Sequence, residues 1–217
     1  MSGKTSSSRV KIGIGSAIFL EGNLTILAPK KKTRLVIFAH GSGSSRLSPR
    51  NTYVAEILQR GGIGTLLFDL LTEREDENYE TRFDIDLLTK RLEIATSWVK
   101  QNLGESLSIG YFGASTGAAA ALKAAAHLGK KEISAVVSRG GRPDLAFGDL
   151  AKVSVPTLLI VGGNDKEVLE LNRSALAVIG SEKKELVTIP GATHLFEEPG
   201  ALDQVAKLAT SWFEAHL

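Results

Sequence analysis

The sequence alternates short apolar runs with longer stretches in which apolar residues recur every three or four positions. This alternation is typical of a parallel sheet covered by helices. The apolar runs predict central strands at Leu35–Ala39, Thr65–Phe68, Ser108–Phe112, Ala135–Val137, Thr157–Val161 and Glu185–Ile189. The periodic stretches predict helices at about Asn51–Arg60, Asp84–Asn102, Thr116–Leu128, Glu167–Ile179 and Ala201–His216.

The N-terminal part has a different pattern. Val10 to Ile18 and Asn23 to Ala28 flank Leu20-Glu21-Gly22, which predicts an antiparallel hairpin at the start of the sheet. We interpret residues 1–9 as a flexible tail and residues 10–217 as a single domain. The predicted fold class is therefore α/β, with a mostly parallel sheet, an N-terminal antiparallel hairpin, helices on both faces and no large lid domain. The acidic stretch 72–78 predicts a mobile surface loop.

The composition and charge of the chain limit the classes of function that it can have. With 217 residues, of which 43% are hydrophobic, the chain can form one packed domain. Its 26 basic and 24 acidic residues give a net charge of +2, and the one basic run, Lys30-Lys31-Lys32, is interpreted as a solvated turn. We therefore expect a small-molecule partner rather than nucleic acid.

The absence of cysteine excludes disulfides, iron–sulfur clusters and a thiol nucleophile. No segment has the apolar length of a signal peptide or a membrane span, so we expect a cytoplasmic protein with no membrane partner. Whether it forms a homodimer is left open.

Three residues with catalytic chemistry follow predicted strands directly. They are Ser115, Asp165 and His194, which are distant in sequence. Parallel strands bring their carboxyl ends to one edge of the sheet, where open α/β folds build their sites. The pattern therefore predicts that the three side chains converge.

Ser115 lies in Gly113-Ala114-Ser115-Thr116-Gly117, between a predicted strand and a predicted helix. Glycines on both sides leave room for the sharp turn that exposes a nucleophilic serine. A serine hydroxyl needs a base, and His194 is the candidate because its ordinary pKa lies near neutral pH. Asp165 would orient the imidazole, with Asp144 as the alternative acid.

A tetrahedral intermediate also needs hydrogen-bond donors for its oxyanion. We assign one to the backbone N–H of Thr116 and the second to the His40-Gly41-Ser42-Gly43 loop, with Ser42 favoured and Gly43 as the alternative.

Four residues are candidates for substrate binding: Gly41, Gly43, Arg139 and Arg142. An arginine at this edge of the sheet could clamp a carboxylate or phosphate. The alternative is that these arginines pair with Asp144 or Asp149, or lie in solvent.

Taken together, these features resemble the α/β-hydrolase superfamily, in its dienelactone-hydrolase-like and small serine esterase branch. The resemblance spans nearly the whole chain. It rests on the opening segment Leu20-Glu21-Gly22-Asn23-Leu24, the His40-Gly41-Ser42-Gly43 loop, the Ser115 turn, Asp165 and Thr193-His194. Dienelactone hydrolases proper use a cysteine nucleophile, which this chain lacks. The resemblance therefore implies a serine hydrolase of the same architecture that needs no metal or organic cofactor.

The leading hypothesis is cleavage of a carboxylic ester through an acyl-enzyme intermediate. A thioesterase or acyltransferase with the same triad is the first alternative, and a non-catalytic ligand-binding protein of this fold is the second. A nucleotide-binding doubly wound protein is a further alternative, because Gly13-Ile14-Gly15 partly matches a dinucleotide fingerprint but lacks its third glycine.

Overall fold

The structure, a computed structural model, describes residues 5–27 and 33–217 and is built on an eight-stranded sheet. The strands are β1 (Thr5–Gly13), β2 (Phe19–Leu27), β3 (Arg34–Ala39), β4 (Gly64–Phe68), β5 (Ser108–Ala114), β6 (Ala135–Arg139), β7 (Thr157–Gly162) and β8 (Lys184–Ile189). Their order in the sheet is β1-β2-β4-β3-β5-β6-β7-β8. The β1–β2 and β2–β4 pairs are antiparallel and the other pairs are parallel, which confirms the predicted mixed sheet.

Helices cover both faces of the sheet, as predicted. They are α1 (Pro49–Arg60), α2 (Glu73–Asp76), α3 (Ile85–Leu103), α4 (Thr116–Glu132), α5 (Lys166–Val178) and α6 (Ala201–His216), with 3₁₀ segments at Glu80–Phe83 and Pro143–Lys152. Helices α1 and α6 pack on one face, and α3, α4 and α5 on the other. Within the described ranges no insertion forms a separate lid domain. Among the helices described, none combines the length and apolar character of a membrane span.

The predicted hairpin exists, but its turn lies earlier in the sequence than predicted. The chain reverses between Gly13 and Phe19, where the Ile14 N–H donates to the Ile18 carbonyl over 2.9 Å. The segment predicted as the turn, Leu20-Glu21-Gly22, is instead part of β2. Gly22 lies within the strand and pairs with Val10 across the hairpin. Its glycine serves close packing, because a Cβ at Gly22 would lie 3.0 Å from the Val10 Cγ2.

The prediction of a tail up to Arg9 is wrong for the residues that the structure describes. Strand β1 begins at Thr5, and its register pairs Arg9 with Asn23. The serine-rich sequence is polar because β1 is an edge strand, and an antiparallel edge can keep its side chains in water. The structure does not describe residues 1–4. It also does not describe the run Lys30-Lys31-Lys32, which the sequence predicts to be a solvated turn.

The acidic stretch that predicts a mobile loop instead contains the helical turn α2. A capping box starts it: the Thr72 hydroxyl accepts the Glu75 N–H, and the Glu75 carboxylate accepts the Thr72 N–H over 2.8 Å. Arg91 of α3 also pairs with Glu75 at 2.6 Å. Although partial burial acts in the opposite direction, these hydrogen bonds and the Arg91 charge hold the pKa of Glu75 below its ordinary value.

Side chains of the central strands point alternately into two core layers. Ile37 and Tyr111 belong to the layer beneath α3 and α4, whereas Phe38 and Phe112 belong to the layer beneath α1 and α6. The Phe38 and Phe112 ring centroids are 4.9 Å apart. The two layers bury β3 and β5 on both faces, which explains their continuous apolar runs.

His40 joins the loop that follows β3 to the loop that follows β4. Its Nε2 accepts the Leu70 N–H over 3.0 Å, so its Nδ1 carries the proton and donates to the Gly41 carbonyl over 3.0 Å. Burial lowers the pKa of His40 from its ordinary value, although hydrogen bonding to Gly41 and the charges of Asp69 and Asp76 act in the opposite direction. The neutral imidazole thus fixes the start of the Gly41–Gly43 loop.

Replacing Gly110 of β5 should loosen the packing of α6. A Cβ at Gly110 would lie 2.7 Å from the Phe213 Cε1, and Phe213 is fully buried. We expect Gly110→Ala to cost about 1–3 kcal/mol of stability, which lowers the melting temperature by roughly 2–4 °C for each kcal/mol. Gly148→Ala is the control, because a Cβ there meets nothing within 4 Å. Equal melting temperatures for the two variants would contradict this packing.

Acid should destabilise the protein partly through His40. Because the pKa of His40 is lower in the folded chain than its ordinary 6.5, its contribution to stability is complete above pH 6.5 and is lost as the pH falls through the folded value. We expect thermal unfolding between pH 7.5 and 5 to depend less on pH in His40→Gln than in the wild type. An unchanged pH dependence in His40→Gln would refute this role.

Candidate active site

The turn between β5 and α4 holds Ser115 in a strained conformation, with φ 50° and ψ −120°. Positive φ is uncommon for a residue with a Cβ and marks sites where the surroundings enforce strain. The neighbouring β6 end supplies that enforcement. The Ser115 N–H donates to the Arg139 carbonyl over 3.2 Å, and the Ser115 carbonyl accepts the Arg142 N–H over 3.2 Å.

Gly113 and Gly117 lie so close to neighbouring backbone that neither position has room for a Cβ. A Cβ at Gly113 would lie 2.4 Å from the Ala118 Cα, and one at Gly117 would lie 2.2 Å from the Ala39 carbonyl oxygen. Strand β3 therefore packs directly against the first turn of α4. This contact places the loop after β3 beside Ser115.

His194 and Asp165 are brought together from the ends of two neighbouring strands. Asp165 follows β7 and His194 follows β8. The His194 Nδ1 lies 2.6 Å from the Asp165 Oδ2, so Nδ1–H donates to the carboxylate. The carboxylate thereby selects the tautomer that leaves Nε2 free to accept a proton. The Asp165 side chain is 15% exposed and that of His194 is 38% exposed.

The His194 loop is held by residues that the sequence did not reveal as part of the site. The Asn164 side chain donates to the Gly191 carbonyl over 2.8 Å, and its backbone N–H donates to the Ala192 carbonyl over 2.9 Å. Glu198 accepts both the N–H and the hydroxyl of Thr193, at 3.0 and 2.6 Å, and these bonds lower the pKa of Glu198. Asn164 falls in the Gly-Gly-Asn-Asp segment, where turn chemistry alone accounts for its residue type.

Ser115 and His194 border one cavity of about 190 Å³. Its other lining residues include Gly41, Ser42, Arg50, Asn51 and Arg139. No hydrogen bond joins the Ser115 hydroxyl to His194 within the described part of the chain. Catalytic hydrogen bonds often shorten only when substrate binds. Both side chains border the same cavity, so a substrate there could contact both of them.

The loop predicted to supply the second oxyanion donor lies against the Ser115 turn. A Cβ at Gly41 would lie 3.1 Å from the Ser115 Cβ. The Ser42 N–H donates to the Thr116 hydroxyl over 2.9 Å, so this amide is already hydrogen-bonded in the structure. Gly43 has φ 65° and is not among the cavity-lining residues. The Thr116 N–H lies in the first turn of α4, where amides have no partner within the helix.

The two candidate arginines have different surroundings. Arg142 pairs with Asp144 through two bonds of 2.9 and 2.7 Å, which raises the pKa of Arg142 and corresponds to the alternative left open above. This pair also occupies Asp144, the alternative acid. Arg139 borders the cavity instead and is only 8% exposed. Burial, followed by the charge of Arg50, lowers the pKa of Arg139 to about 10.

No grouping of three or more His, Cys, Asp or Glu side chains suited to a metal occurs in residues 5–27 and 33–217. The residues around the cavity supply a serine, an imidazole–carboxylate pair, backbone amides and arginines.

Comparison with known proteins shows the family. No protein-family model matches the sequence. A dienelactone hydrolase from Anabaena variabilis is 52% identical, and its crystal structure superposes with a TM-score of 0.92 over 98% of this chain and 99% of that chain. An α/β serine hydrolase without a lid from Xanthomonas campestris shares the fold, with a TM-score of 0.76 at 21% identity over 99% of this chain and 97% of that chain.

Two curated proteins from strains of Mycobacterium tuberculosis, which carry the provisional name phosphoribosyl transferase, are 57% identical over 205 residues. The match covers 94% of this chain but 45% of each relative, so the chain spans about half of their length. The Anabaena protein, in contrast, matches along almost its entire length. This chain therefore belongs to the α/β-hydrolase family, in its dienelactone-hydrolase-like group.

Proposed function

We propose that this chain is a serine hydrolase that cleaves a carboxylic ester through an acyl-enzyme intermediate. The observation that carries the proposal is the 2.6 Å bond between His194 and Asp165 beside a cavity that Ser115 also borders. A strained serine, an oriented imidazole and a small cavity are the parts that nucleophilic acyl transfer needs.

In the proposed reaction the Ser115 oxygen attacks the ester carbonyl carbon while His194 Nε2 takes the hydroxyl proton. Asp165 stabilises the resulting imidazolium through its bond to Nδ1. His194 then donates the proton to the departing alkoxide, and the acyl group remains on Ser115. A water molecule, deprotonated by His194, attacks the acyl-enzyme. The acyl–oxygen bond to Ser115 then breaks, His194 returns the proton to the Ser115 oxygen, and the carboxylic acid leaves.

The oxyanion of both tetrahedral intermediates would be held by the N–H groups of Thr116 and Ser42. In the structure the Thr116 hydroxyl accepts the Ser42 N–H, so this amide has a hydrogen-bond partner. An oxyanion carries more negative charge than a hydroxyl and is the stronger acceptor. We infer that it replaces the Thr116 hydroxyl as the acceptor for Ser42.

The name of the M. tuberculosis relatives applies to proteins about twice as long as this chain, and the hydrolase proposal rests on this chain's own residues. The ester substrate and the cytoplasmic location stay predictions.

A fluorophosphonate probe should label Ser115, because the probe reacts with activated serine hydroxyls. We expect labelling to disappear in Ser115→Ala and to slow by about 10²–10⁴-fold in His194→Ala, which lacks the base. Peptide mass spectrometry locates the adduct. Ser97→Ala, which removes an exposed hydroxyl from α3, should label like the wild type. A folded wild-type protein that does not react, or that reacts at another residue, would overturn the proposal.

Asp165→Asn should lower kcat for a 4-nitrophenyl ester by about 10⁴-fold, because an amide no longer selects the required His194 tautomer. Asp144→Asn is the matched control, since Asp144 pairs with Arg142 rather than with His194. We expect kcat of Asp144→Asn to stay within about threefold of the wild type, because the partly buried Asp144 bonds to Arg142 and makes no bond to His194. The opposite ranking of the two variants would assign the acid role to Asp144.

A further inference from the structure

The turn that carries His194 contains a strained residue, Phe196. Its φ is 56°, in the left-handed region, and among the described residues only Ser115 is a second non-glycine residue with positive φ. For a bulky side chain this conformation is an outlier that persists only when the surroundings enforce it. The Phe196 N–H donates to the Thr193 carbonyl over 3.2 Å, which closes the turn around His194. Because Phe196 is only 1% exposed, the groups that pack against its ring must enforce the turn.

One of those groups is the Arg139 guanidinium. Its Cζ lies 5.9 Å from the centroid of the Phe196 ring, within the range of about 6 Å in which an aromatic face attracts a guanidinium. Nη2 is 3.5 Å from the Asn51 Oδ1, whereas Nε and Nη1 are buried and make no hydrogen bond in the described part of the chain. The attraction to a ring strengthens when the cation is shielded from water, as Arg139 is. The Phe196 ring is therefore a main contact of this buried charge.

The backbone at Arg139 contacts both the proposed nucleophile and the proposed base. Arg139 ends β6, and its carbonyl accepts the Ser115 N–H over 3.2 Å. The next residue, Gly140, has φ 52°, and a Cβ there would lie 3.5 Å from both Cε1 and Nδ1 of His194. The Gly140 backbone therefore lies directly beside the imidazole. Arg139 thus connects the Ser115 turn, through its carbonyl, to the His194 turn, through its guanidinium on Phe196.

The hydrogen bonds described above hold the part of the loop that precedes His194. Asn164 donates to two carbonyls before Thr193, and Glu198 accepts the N–H and the hydroxyl of Thr193. Phe196 lies on the other side of His194. Its packing therefore decides how far the turn reaches toward the nucleophile.

We propose that Arg139 and Phe196 are positioning residues, whose contact sets the distance between the His194 imidazole and the Ser115 hydroxyl. The inference rests on the proposed hydrolase function and adds two residues that act through its base. Proton transfer needs the two groups within about 2.6–3.2 Å of each other. A displacement of about 1 Å can lower the rate by about 10²-fold. Because no hydrogen bond joins the two side chains in the described residues, the packing of the turn controls their approach.

The first test separates activity from stability. Arg139→Gln removes the cation and keeps a polar side chain beside Asn51. We expect it to lower kcat for 4-nitrophenyl acetate, a neutral ester, by about 10- to 100-fold, with KM within about threefold of the wild type. Its melting temperature should equal or exceed that of the wild type, because a buried charge without a carboxylate partner is costly to the fold. Arg139→Lys, which restores a cation, should recover part of kcat.

The second test removes the ring. Phe196→Leu should lower kcat by about 10- to 100-fold, although Phe196 is not among the described residues that line the catalytic cavity. Arg139 does line that cavity, so a loss in both variants assigns the effect to their contact rather than to substrate binding. Phe213→Leu is the matched control, since Phe213 is a buried ring of the same core layer. It should lower the melting temperature about as much as Phe196→Leu and leave kcat unchanged.

The double variant Arg139→Gln/Phe196→Leu measures whether the two residues act as a unit. If they do, its kcat should lie within about threefold of the lower single variant, whereas independent effects would multiply. Losses that multiply, or wild-type kcat in either single variant, would overturn the proposal, as would an equal loss of kcat in Phe213→Leu. If Phe196→Leu does not fold, Arg139→Gln and Arg139→Lys decide the question through the split between kcat and melting temperature.

A measurement without catalysis separates this proposal from the hydrolase proposal. The nuclear Overhauser effect between His194 Hε1 and Gly140 Hα reports the distance from the imidazole to the end of β6. We expect it to weaken in Arg139→Gln and Phe196→Leu and to persist in Phe213→Leu. Weakening in a protein whose wild type does not react with the fluorophosphonate probe would retain the positioning contact and reject the hydrolase. A labelled wild type whose variants keep both this signal and kcat would do the reverse.

Discussion

The close contact between the end of β3 and the first turn of α4 is the constraint on which the site depends. The contact exists because Gly117 has no Cβ to meet the Ala39 carbonyl and Gly113 has none to meet Ala118. Between β5 and α4, Ser115 has positive φ and is held there by its hydrogen bonds to Arg139 and Arg142. The same contact brings the Gly41–Gly43 loop beside the serine.

The parallel sheet supplies the remaining groups, because the carboxyl ends of its central strands meet at one edge. β6 ends in Arg139, β7 leads to Asp165 and β8 leads to His194. The His194 loop is supported by bonds from Asn164 to the Gly191 and Ala192 carbonyls. Hydrogen bonds therefore fix the Asp165–His194 pair next to the Ser115 turn, and Arg139 adds a buried positive charge to the same cavity.

Much of this arrangement was predictable from the sequence. The continuous apolar runs located all six central strands, and the glycines around Ser115 indicated a sharp turn because only glycine tolerates such close backbone contact. The strand-end positions of Asp165 and His194 placed them on one edge, where the structure brings them into contact. These features depend on local patterns that a single sequence contains.

Other features depend on contacts between distant residues, which local patterns do not carry. The polar sequence of Thr5–Arg9 does not indicate that this segment pairs with β2. The short helix α2 is stabilised by a capping box and by the ion pair between Glu75 and Arg91. Arg139 and Arg142 look equivalent in sequence. Only the fold pairs Arg142 with Asp144 and leaves Arg139 buried without a carboxylate among the described residues.

The central claim is that the acyl group passes through Ser115, and trapping that intermediate tests it most directly. A 4-nitrophenyl ester would be mixed rapidly with the protein, quenched in acid within milliseconds and analysed by intact-mass and peptide mass spectrometry. Our account predicts a mass increase equal to the acyl group on the peptide that contains Ser115, together with a burst of about one 4-nitrophenolate per site. Turnover that leaves no acyl group on this peptide and that persists in Ser115→Ala would contradict it, because the ester would then be cleaved without a bond to Ser115.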